Sequence, residues 1–415
     1  MNNPKIIDHL FRHHYGKMVS ILVKVFGLPH LQIIEDAVQD TFYKAVLSWR
    51  TKQPENPEAW LTKSARNRVI DILRKINADS KREQKVFSGT TAIAIQELFN
   101  EHEIEDSQLR MIFTACHPSI KPIDQIAFAL KTISGFSTKE IASALLAKEE
   151  TVKKRLSRAR KKIAEESIAF SIPEGDEIDT RINRVHEVLY LIFNEGYHSN
   201  KASELVRKDL VLEAIRLCKL LVHKKLKHNT TSCAVLALML FHTAKLEAKI
   251  SERGELINLE EQDRTLWNSK YIFLGNRYMN EAVSTEIFTS YHYEAAIVAE
   301  HLKAKDFEST DWNVILMWYK RLLILHPTSA IELNIAIVYL QLKDLEKAST
   351  ILAVIDVKLL GQRAYIYHAT WAEYYDKKGE KTSAVESYQQ AIKLVNNQLE
   401  KEFLKNKLQR LQALH

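Results

Sequence analysis

Ten glycines and eight prolines in 415 residues leave this chain few places to turn sharply. Glycine and proline are the residues that punctuate strands and loops, and a chain this poor in them cannot support many hairpins. Rich instead in Leu, Ala, Lys and Glu, it is expected to be all-α. A hydrophobic content of 46% is enough to build a sizeable core. The cysteines Cys116, Cys218 and Cys233 are scattered, with no CxxC pair, which argues against a disulfide framework and a thiolate metal site. No apolar run approaches the roughly 20 residues of a membrane span. Nothing at the start reads as a signal peptide, so a cytoplasmic protein is expected.

The net charge of +7 is unevenly placed. Residues 1–166 hold 27 Lys and Arg against 20 Asp and Glu, leaving 32 of each for residues 167–415. The whole excess lies in the first part, which is therefore the candidate polyanion binder.

Pattern divides the chain further. Residues 1–78 carry apolar stripes broken at Gly27-Leu28-Pro29 and around Pro54 and Pro57. Residues 79–105, with Ser88-Gly89-Thr90-Thr91, read as a linker. Residues 106–166 form a compact helical segment with breaks at Pro118, Pro122 and Gly135. After Ser171-Ile172-Pro173-Glu174-Gly175-Asp176 a helical extension runs over 171–325, followed by repeats over 326–415. In the repeats Trp371, Ala372, Tyr375, Gly379, Ala384, Tyr388 and Ala391 have tetratricopeptide-like spacing. Ala336, Tyr339 and Ala348 align as a second unit. Small residues let paired helices approach and aromatics fill the gaps, although an ordinary helical bundle could share the pattern.

The stretch "STKEIASALLAKEETVKKRLSRARKKI" (Ser137–Ile163) holds seven Lys and Arg and no acid between Thr151 and Ile163. Ser137 and Glu140 form a capping box. Ile141, Ala142 and Leu145 give that short helix an apolar face, and the chain turns near Ala147-Lys148. Glu149 and Glu150 occupy the next first turn, where the helix dipole favours acids. Val152, Leu156, Ala159 and Ile163 make one buried stripe, which sends Lys153, Lys154, Ser157, Arg160 and Lys161 outward. This is the pattern of a helix-turn-helix with a basic recognition helix. Thr151, Lys153, Lys154, Ser157, Arg158 and Arg160 are its candidate DNA contacts.

Two upstream segments sharpen that reading. In "EDAVQDTFYKAVLSW" (Glu35–Trp49), Asp36 and Asp40 share a face with Gln39 and Tyr43. In "AWLTKSARNRVIDILRK" (Ala59–Lys75), Leu61, Ala65, Val69 and Leu73 form the buried stripe. Trp60, Lys63, Arg66, Asn67, Asp71 and Arg74 are left for other faces. A basic helix entered through an aromatic suits unstacked single strands, the charges holding backbone and the ring holding bases.

Residues 1–166 resemble a sigma-70 family factor of the extracytoplasmic-function type, which has only regions two and four. "EDAVQDTFYKA" resembles the helix that docks on RNA polymerase, which implies core-binding roles for Asp36, Gln39, Asp40 and Tyr43. "NPEAWLTKSARNRVIDILRK" resembles the helix that reads and melts the −10 element, and the Ser137–Ile163 stretch resembles the −35 reader. "VLYLIFNEGYHSN" (Val188–Asn200), "LEEQDRTLWN" (Leu259–Asn268) and "STDWNVILMWYKRLL" (Ser309–Leu323) resemble the subgroup with a long extension ending in tetratricopeptide-like helices. Membership implies that the extension helps control activity, with Asn194, Glu195 and Tyr197 as candidate contacts. The partners implied are RNA polymerase core, promoter DNA, and a regulatory protein or ligand at the extension.

Other chemistry finds little support. Glu195 and His198 have E-x-x-H spacing but lack the second copy a di-iron bundle needs. His9 and His13 lie one turn apart in a chain with 16 His, so coincidence explains them. No P-loop or GxGxxG is present. No Ser/His/Asp or Cys/His set can be assembled, so neither an enzyme nor a cofactor is expected. Tyr190, Phe193, Tyr197, Trp267, Trp312 and Trp318 have spacings more typical of core than of a ligand pocket. A helix-turn-helix regulator with a helical sensing domain, or a helical scaffold, would account for parts of the pattern but not for the ordered set.

Overall fold

The computed structural model describes residues 3–49, 53–76, 101–145, 147–197, 206–226, 228–251 and 255–413. Among these it has 18 α-helices and no strand, as the scarcity of turn residues predicts. Most of the expected linker, 79–100, lies outside the described residues, as does His198–Asn200. The chain divides into two compact units, Met1–Leu191 and Ile192–His415.

The first unit contains α1 (Asn3–Phe26), α2 (Leu31–Ser48), α3 (Pro57–Ile76), α4 (Glu101–Ala115), α5 (Pro122–Thr132), α6 (Thr138–Ala144), α7 (Glu149–Glu165) and the first part of α8 (Glu177–Tyr197). Each forms where an apolar stripe at helical spacing can be covered. On α3, Leu61, Ala65 and Val69 have no exposed surface and Leu73 only 2%. They face α2, whose Ala37, Val38, Phe42 and Ala45 are equally buried. Gly27, at φ 93°, ends α1. Pro122, at the start of α5, needs no N–H partner there.

The helix-turn-helix forms as its sequence implies. Glu140 N–H donates to the Ser137 hydroxyl at 3.2 Å, and Ser137 N–H donates to the Glu140 carboxylate at 2.8 Å, closing the capping box. Val152, Leu156, Ala159 and Ile163 are all buried. Lys148 occupies the N-cap of α7 and supplies no side-chain cap. The first turn relies on Glu149 and Glu150 against the dipole.

The helix-turn-helix segment and the N-terminal helices share one core. A Cβ added at Gly16 of α1 would sit 1.6 Å from the Ile133 carbonyl oxygen. At Gly135, in the left-handed region with φ 72°, it would meet the Tyr15 ring at 2.8 Å. Backbone therefore touches backbone between α1 and the end of α5, a separation only glycine allows. The core also reaches past Ile163. Arg181 of α8 is buried, donates through Nη2 to the Phe113 carbonyl at 2.7 Å, and lies over the Phe113 ring.

The second unit continues α8 and adds α9 (Lys208–Lys224), α10 (Asn229–Ala244), α11 (Ser269–Ala282), α12 (Ser290–Lys303) and α13 (Trp312–Leu325). α10 is apolar on all sides, so it is surrounded, packing on α9, α11 and α12. Two helix hairpins follow: α14 (Ser329–Gln341) with α15 (Leu345–Val354), and α16 (Ala364–Lys378) with α17 (Lys381–Leu394). α18 (Gln398–Ala413) closes the row on α17. Ala336, Ala348, Ala372, Ala384 and Ala391 have no exposed surface. They are the small positions that let paired helices approach.

Candidate nucleic-acid interface

Three helices of the first unit carry the candidate residues. On α7 the buried stripe turns Lys153, Lys154, Ser157, Arg158 and Lys161 outward, while Thr151 is half-buried. Lys153 pairs with Glu150 at 2.9 Å. Both are exposed, so the pair does little to hold the helix. The ammonium groups of Lys154 and Lys161 stand on one solvent face with the Ser157 hydroxyl between them in sequence. That is a surface suited to phosphate oxygens and base edges.

Two arginines of α7 are engaged inside the unit. Arg158 meets Asp124 of α5 through two hydrogen bonds, Nε to Oδ2 at 3.0 Å and Nη2 to Oδ1 at 2.6 Å. The Asp124 side chain is only 3% exposed, so this fork fixes α7 on α5. Arg160 departs from the outward direction expected of it. It is half-buried and pairs through Nη2 with the Glu35 carboxylate of α2 at 2.5 Å. Spacing missed this because it reports which face of α7 is apolar, not what stands at the edge of that face. Glu35 offered a signal, since it falls one position before the exposed Asp36 and among buried neighbours.

The Glu35 side chain is 3% exposed. Burial raises its carboxyl above the usual value of 4.5, against the opposing pull of Arg160. Lys131 of α5 is lowered, chiefly by burial, with Glu35 acting against that shift. Lys131 lies over the Tyr15 ring at 5.7 Å. One buried carboxylate thus stands among Arg160, Lys131 and Tyr15 at the packing between α2 and the helix-turn-helix segment.

The exposed face of α2 carries Asp36 and Gln39, with Tyr43 66% and Leu47 48% exposed. Acids flanking uncovered apolar side chains make a surface suited to protein docking. Leu47 was not anticipated, although it lies four residues beyond Tyr43 on the same stripe. Asp40 is half-buried, and its Oδ2 accepts from Arg68 of α3, from Nε at 3.0 Å and Nη2 at 2.7 Å. Arg68 also went unanticipated, its partner being 28 residues away.

On α3, Lys63, Asn67, Asp71 and Arg74 are exposed and Arg66 is half-buried. Trp60, half-buried, packs edge-on against Trp49 with ring centroids 5.5 Å apart. Asn56 caps this helix, its side chain accepting from Ala59 N–H at 3.0 Å. The helix presents a stripe of cationic and amide groups with an indole at its N-terminal end, the composition a separated strand requires.

The extension motifs have structural work to do. Gly196 is the penultimate residue of α8, and a Cβ there would meet Leu210 Cβ and Val211 N at 2.8 Å. Tyr197 belongs to the core of the second unit, stacked on Phe193 and beneath the Lys249 ammonium. Asn194 and Glu195 are half-buried. His198, and the side chains of His9 and His13, lie outside the described residues. In the Leu259–Asn268 motif, Asp263 caps the turn at Thr265, Asn268 caps α11, and Trp267 Nε1 donates to Gln262. Among the described residues no three His, Cys, Asp or Glu side chains converge as a metal site. None of the described helices is long and apolar enough to cross a membrane.

Residues 10–78 match the family model Sigma-70 region 2, and residues 110–163 match Sigma-70, region 4. Residues 181–283 match a family of unknown function, DUF6596. An uncharacterized protein of Rhizobium meliloti is 30% identical over 399 residues, 92% of this chain and 91% of that one. The ECF RNA polymerase sigma factor SigE of Mycolicibacterium smegmatis is 27% identical over 156 residues, covering 38% of this chain and 59% of SigE. A probable ECF RNA polymerase sigma factor, SigI, of Mycobacterium tuberculosis is 22% identical over 185 residues, 44% of this chain and 62% of its own.

The Glu35 carboxyl gives a pH test. Because its folded value is raised, its contribution to stability is fully present below 4.5 and is lost as pH rises through the raised value. Glu35→Gln cannot ionise, so it escapes that loss. Thermal melts should show wild type falling relative to Glu35→Gln as pH rises from about 4.5 to 7. Parallel curves would show that the buried carboxylate carries no net cost.

Proposed function

Because this chain belongs to the extracytoplasmic-function group of the sigma-70 family, the RNA polymerase sigma factors, we propose a division of labour among its helices. α7 reads the −35 element through Lys153, Lys154 and Ser157, with Thr151 beside them. α3 reads and opens the −10 element through Trp60, Lys63, Arg66, Asn67, Asp71 and Arg74. The exposed stripe of α2, from Asp36 through Gln39 and Asp40 to Tyr43, docks on core polymerase. The observation that carries this reading is the joint exposure of these three stripes, each opposite a fully buried apolar stripe of its own helix. A helix-turn-helix regulator would not need the last two, and a scaffold would need none.

Run-off transcription with purified core polymerase and the full chain tests this, with a new promoter-dependent start expected. Lys154→Ala should leave the melting temperature unchanged. A lost base contact would cost about 1–3 kcal/mol and relax one −35 position, whereas a lost phosphate contact would weaken all sequences alike. Wild-type strength and preference together would remove Lys154 from the interface.

The closed packing of the first unit adds a step. Elements at −10 and −35 lie about 25 base pairs apart, about 85 Å along the duplex. A compact unit of residues 1–191 spans only about 40 Å. Arg160 can serve the −35 element only when Glu35 releases it, whereas Arg158 stays on Asp124 within the helix-turn-helix segment with half its side chain exposed. We infer that the free protein is closed across Gly16–Ile133 and Glu35–Arg160, and that polymerase opens it. Labels at Lys63→Cys and Lys154→Cys should transfer energy efficiently in the free chain and lose most of that transfer on adding core polymerase. Unchanged transfer in an active complex would rule this out.

The extension is proposed to act in cis on the sigma domains or polymerase, with Asn194 and Glu195 contributing to that contact and Tyr197 supporting them from the core. Its size and row of paired helices favour a role in protein binding. A stop after Leu191 keeps Arg181 on Phe113, which a stop after Ile163 would remove. The shortened chain should stay folded by circular dichroism but transcribe at a markedly different level. Equal transcription under all conditions would exclude regulation by the extension.

A further inference from the structure

In the second unit, an arginine, a lysine and a neutral histidine meet with no carboxylate hydrogen-bonded to any of them among the described residues. Arg264 lies in the turn before α11. Its Nη1 donates to the His301 carbonyl at 2.8 Å and the Ala304 carbonyl at 2.6 Å, at the C-terminal end of α12. Its Nη2 is buried and makes no hydrogen bond among the described residues, and neither does the buried Nδ1 of His301. Lys245, at the end of α10, is 7% exposed. The three are close enough to influence one another's charge. Burial first, and the Arg264 charge after it, bring Lys245 down to about 8. Burial, Lys245 and Arg264 hold His301 down to about 3. The acids that act on Arg264 are Asp306 and Glu308; neither accepts a hydrogen bond from it, and Asp306 is taken by Ser309 N–H. Beyond Lys245 stands Lys249, whose ammonium donates to the Tyr197 carbonyl.

Beside this cluster lies a cavity of about 300 Å³ that His301 lines with Trp312, Tyr319 and Asn334, and that also meets Glu260 and the Glu373 carboxylate, the latter paired with Lys407 at 2.8 Å; Arg264 and Lys245 stand behind His301 rather than in its wall. His301 belongs to both, and Trp312 packs edge-on against it at 5.4 Å. The volume suits a small organic molecule, and its lining is largely apolar with a few polar groups. Buried donors are almost always satisfied in native proteins. A group that only accepts, and carries negative charge, would satisfy Arg264 and Lys245 at once, and His301 in the tautomer with its proton on Nδ1.

We propose that the second unit binds a small organic oxyanion, its carboxylate or phosphate held by Lys245, Arg264 and His301 and its apolar part in the adjoining cavity. The site lies in the extension and does not depend on the transcriptional reading of the first unit.

Thermal unfolding of the full chain tests it, with inorganic phosphate, phenyl phosphate and benzoate at about 10 mM as probes against sodium chloride of equal ionic strength. At least one probe should raise the melting temperature of the wild type by about 3 °C. The same probe should shift Lys245→Met by less than a third of that. Phenyl phosphate exceeding inorganic phosphate assigns a phosphate head with an apolar body, and benzoate leading assigns a carboxylate. Phosphate also stabilises proteins by exclusion from their surfaces, so equal shifts in wild type and Lys245→Met would overturn the proposal. So would no shift with any probe, which would leave the donors to water. Arg264→Gln removes two helix-end hydrogen bonds and can unfold the chain. Lys245→Met removes none and keeps the test decisive. Without probe, Lys245→Met should melt higher than wild type, because an uncompensated buried ammonium is gone; a lower melting temperature would also overturn the proposal.

Discussion

The carboxylate of Glu35 can remain in the core of the first unit only because Arg160 reaches it. A buried acid without a partner would cost several kcal/mol or stay protonated. The pair therefore holds two helices together, α2 with its exposed stripe and α7 with its basic face. Gly16 against the Ile133 carbonyl and Gly135 against Tyr15 bring the same halves into backbone contact. The part of that contact built on a raised carboxyl, beside the shared apolar core, is the part a charged competitor would displace first.

The second unit rests on different physics. α10 is apolar all round and is surrounded by α9, α11 and α12. The hairpins that follow approach through alanines with no exposed surface. Polar residues here act mostly at helix ends. The side chains of Asp263, Asn268, Asp311 and Asp344 each accept from backbone N–H groups two or three residues ahead. Arg264 does the reverse for α12, donating to its last carbonyls. Arg264 Nη2 and His301 Nδ1, like Asn229 Oδ1 of the same unit, are buried atoms that make no hydrogen bond among the described residues.

Much of this was legible in the sequence because helical spacing alone states which side chains face inward. Val152, Leu156, Ala159 and Ile163 are buried as their steps of four and three require, and so are Leu61, Ala65, Val69 and Leu73. The capping box at Ser137 and Glu140 needs only residues three apart, so local sequence contains it. The exposure of Lys63, Asn67, Arg74, Lys154 and Ser157 follows as the complement of those stripes.

What the sequence by itself determined is therefore local: an all-helical chain, the capping box that starts the helix-turn-helix, the buried stripes of α3 and α7, and the motifs that mark it as a sigma factor. Only the tertiary structure decided the partners. Arg160 and Glu35 are 125 residues apart, Arg158 and Asp124 are 34, and Arg68 and Asp40 are 28. Helical periodicity repeats within about two turns and contains nothing about pairs so distant. The same holds for Gly16, whose missing side chain has meaning only once the Ile133 carbonyl lies over it. It holds too for Lys245, Arg264 and His301, ordinary polar residues of three separate segments until packing brings them together.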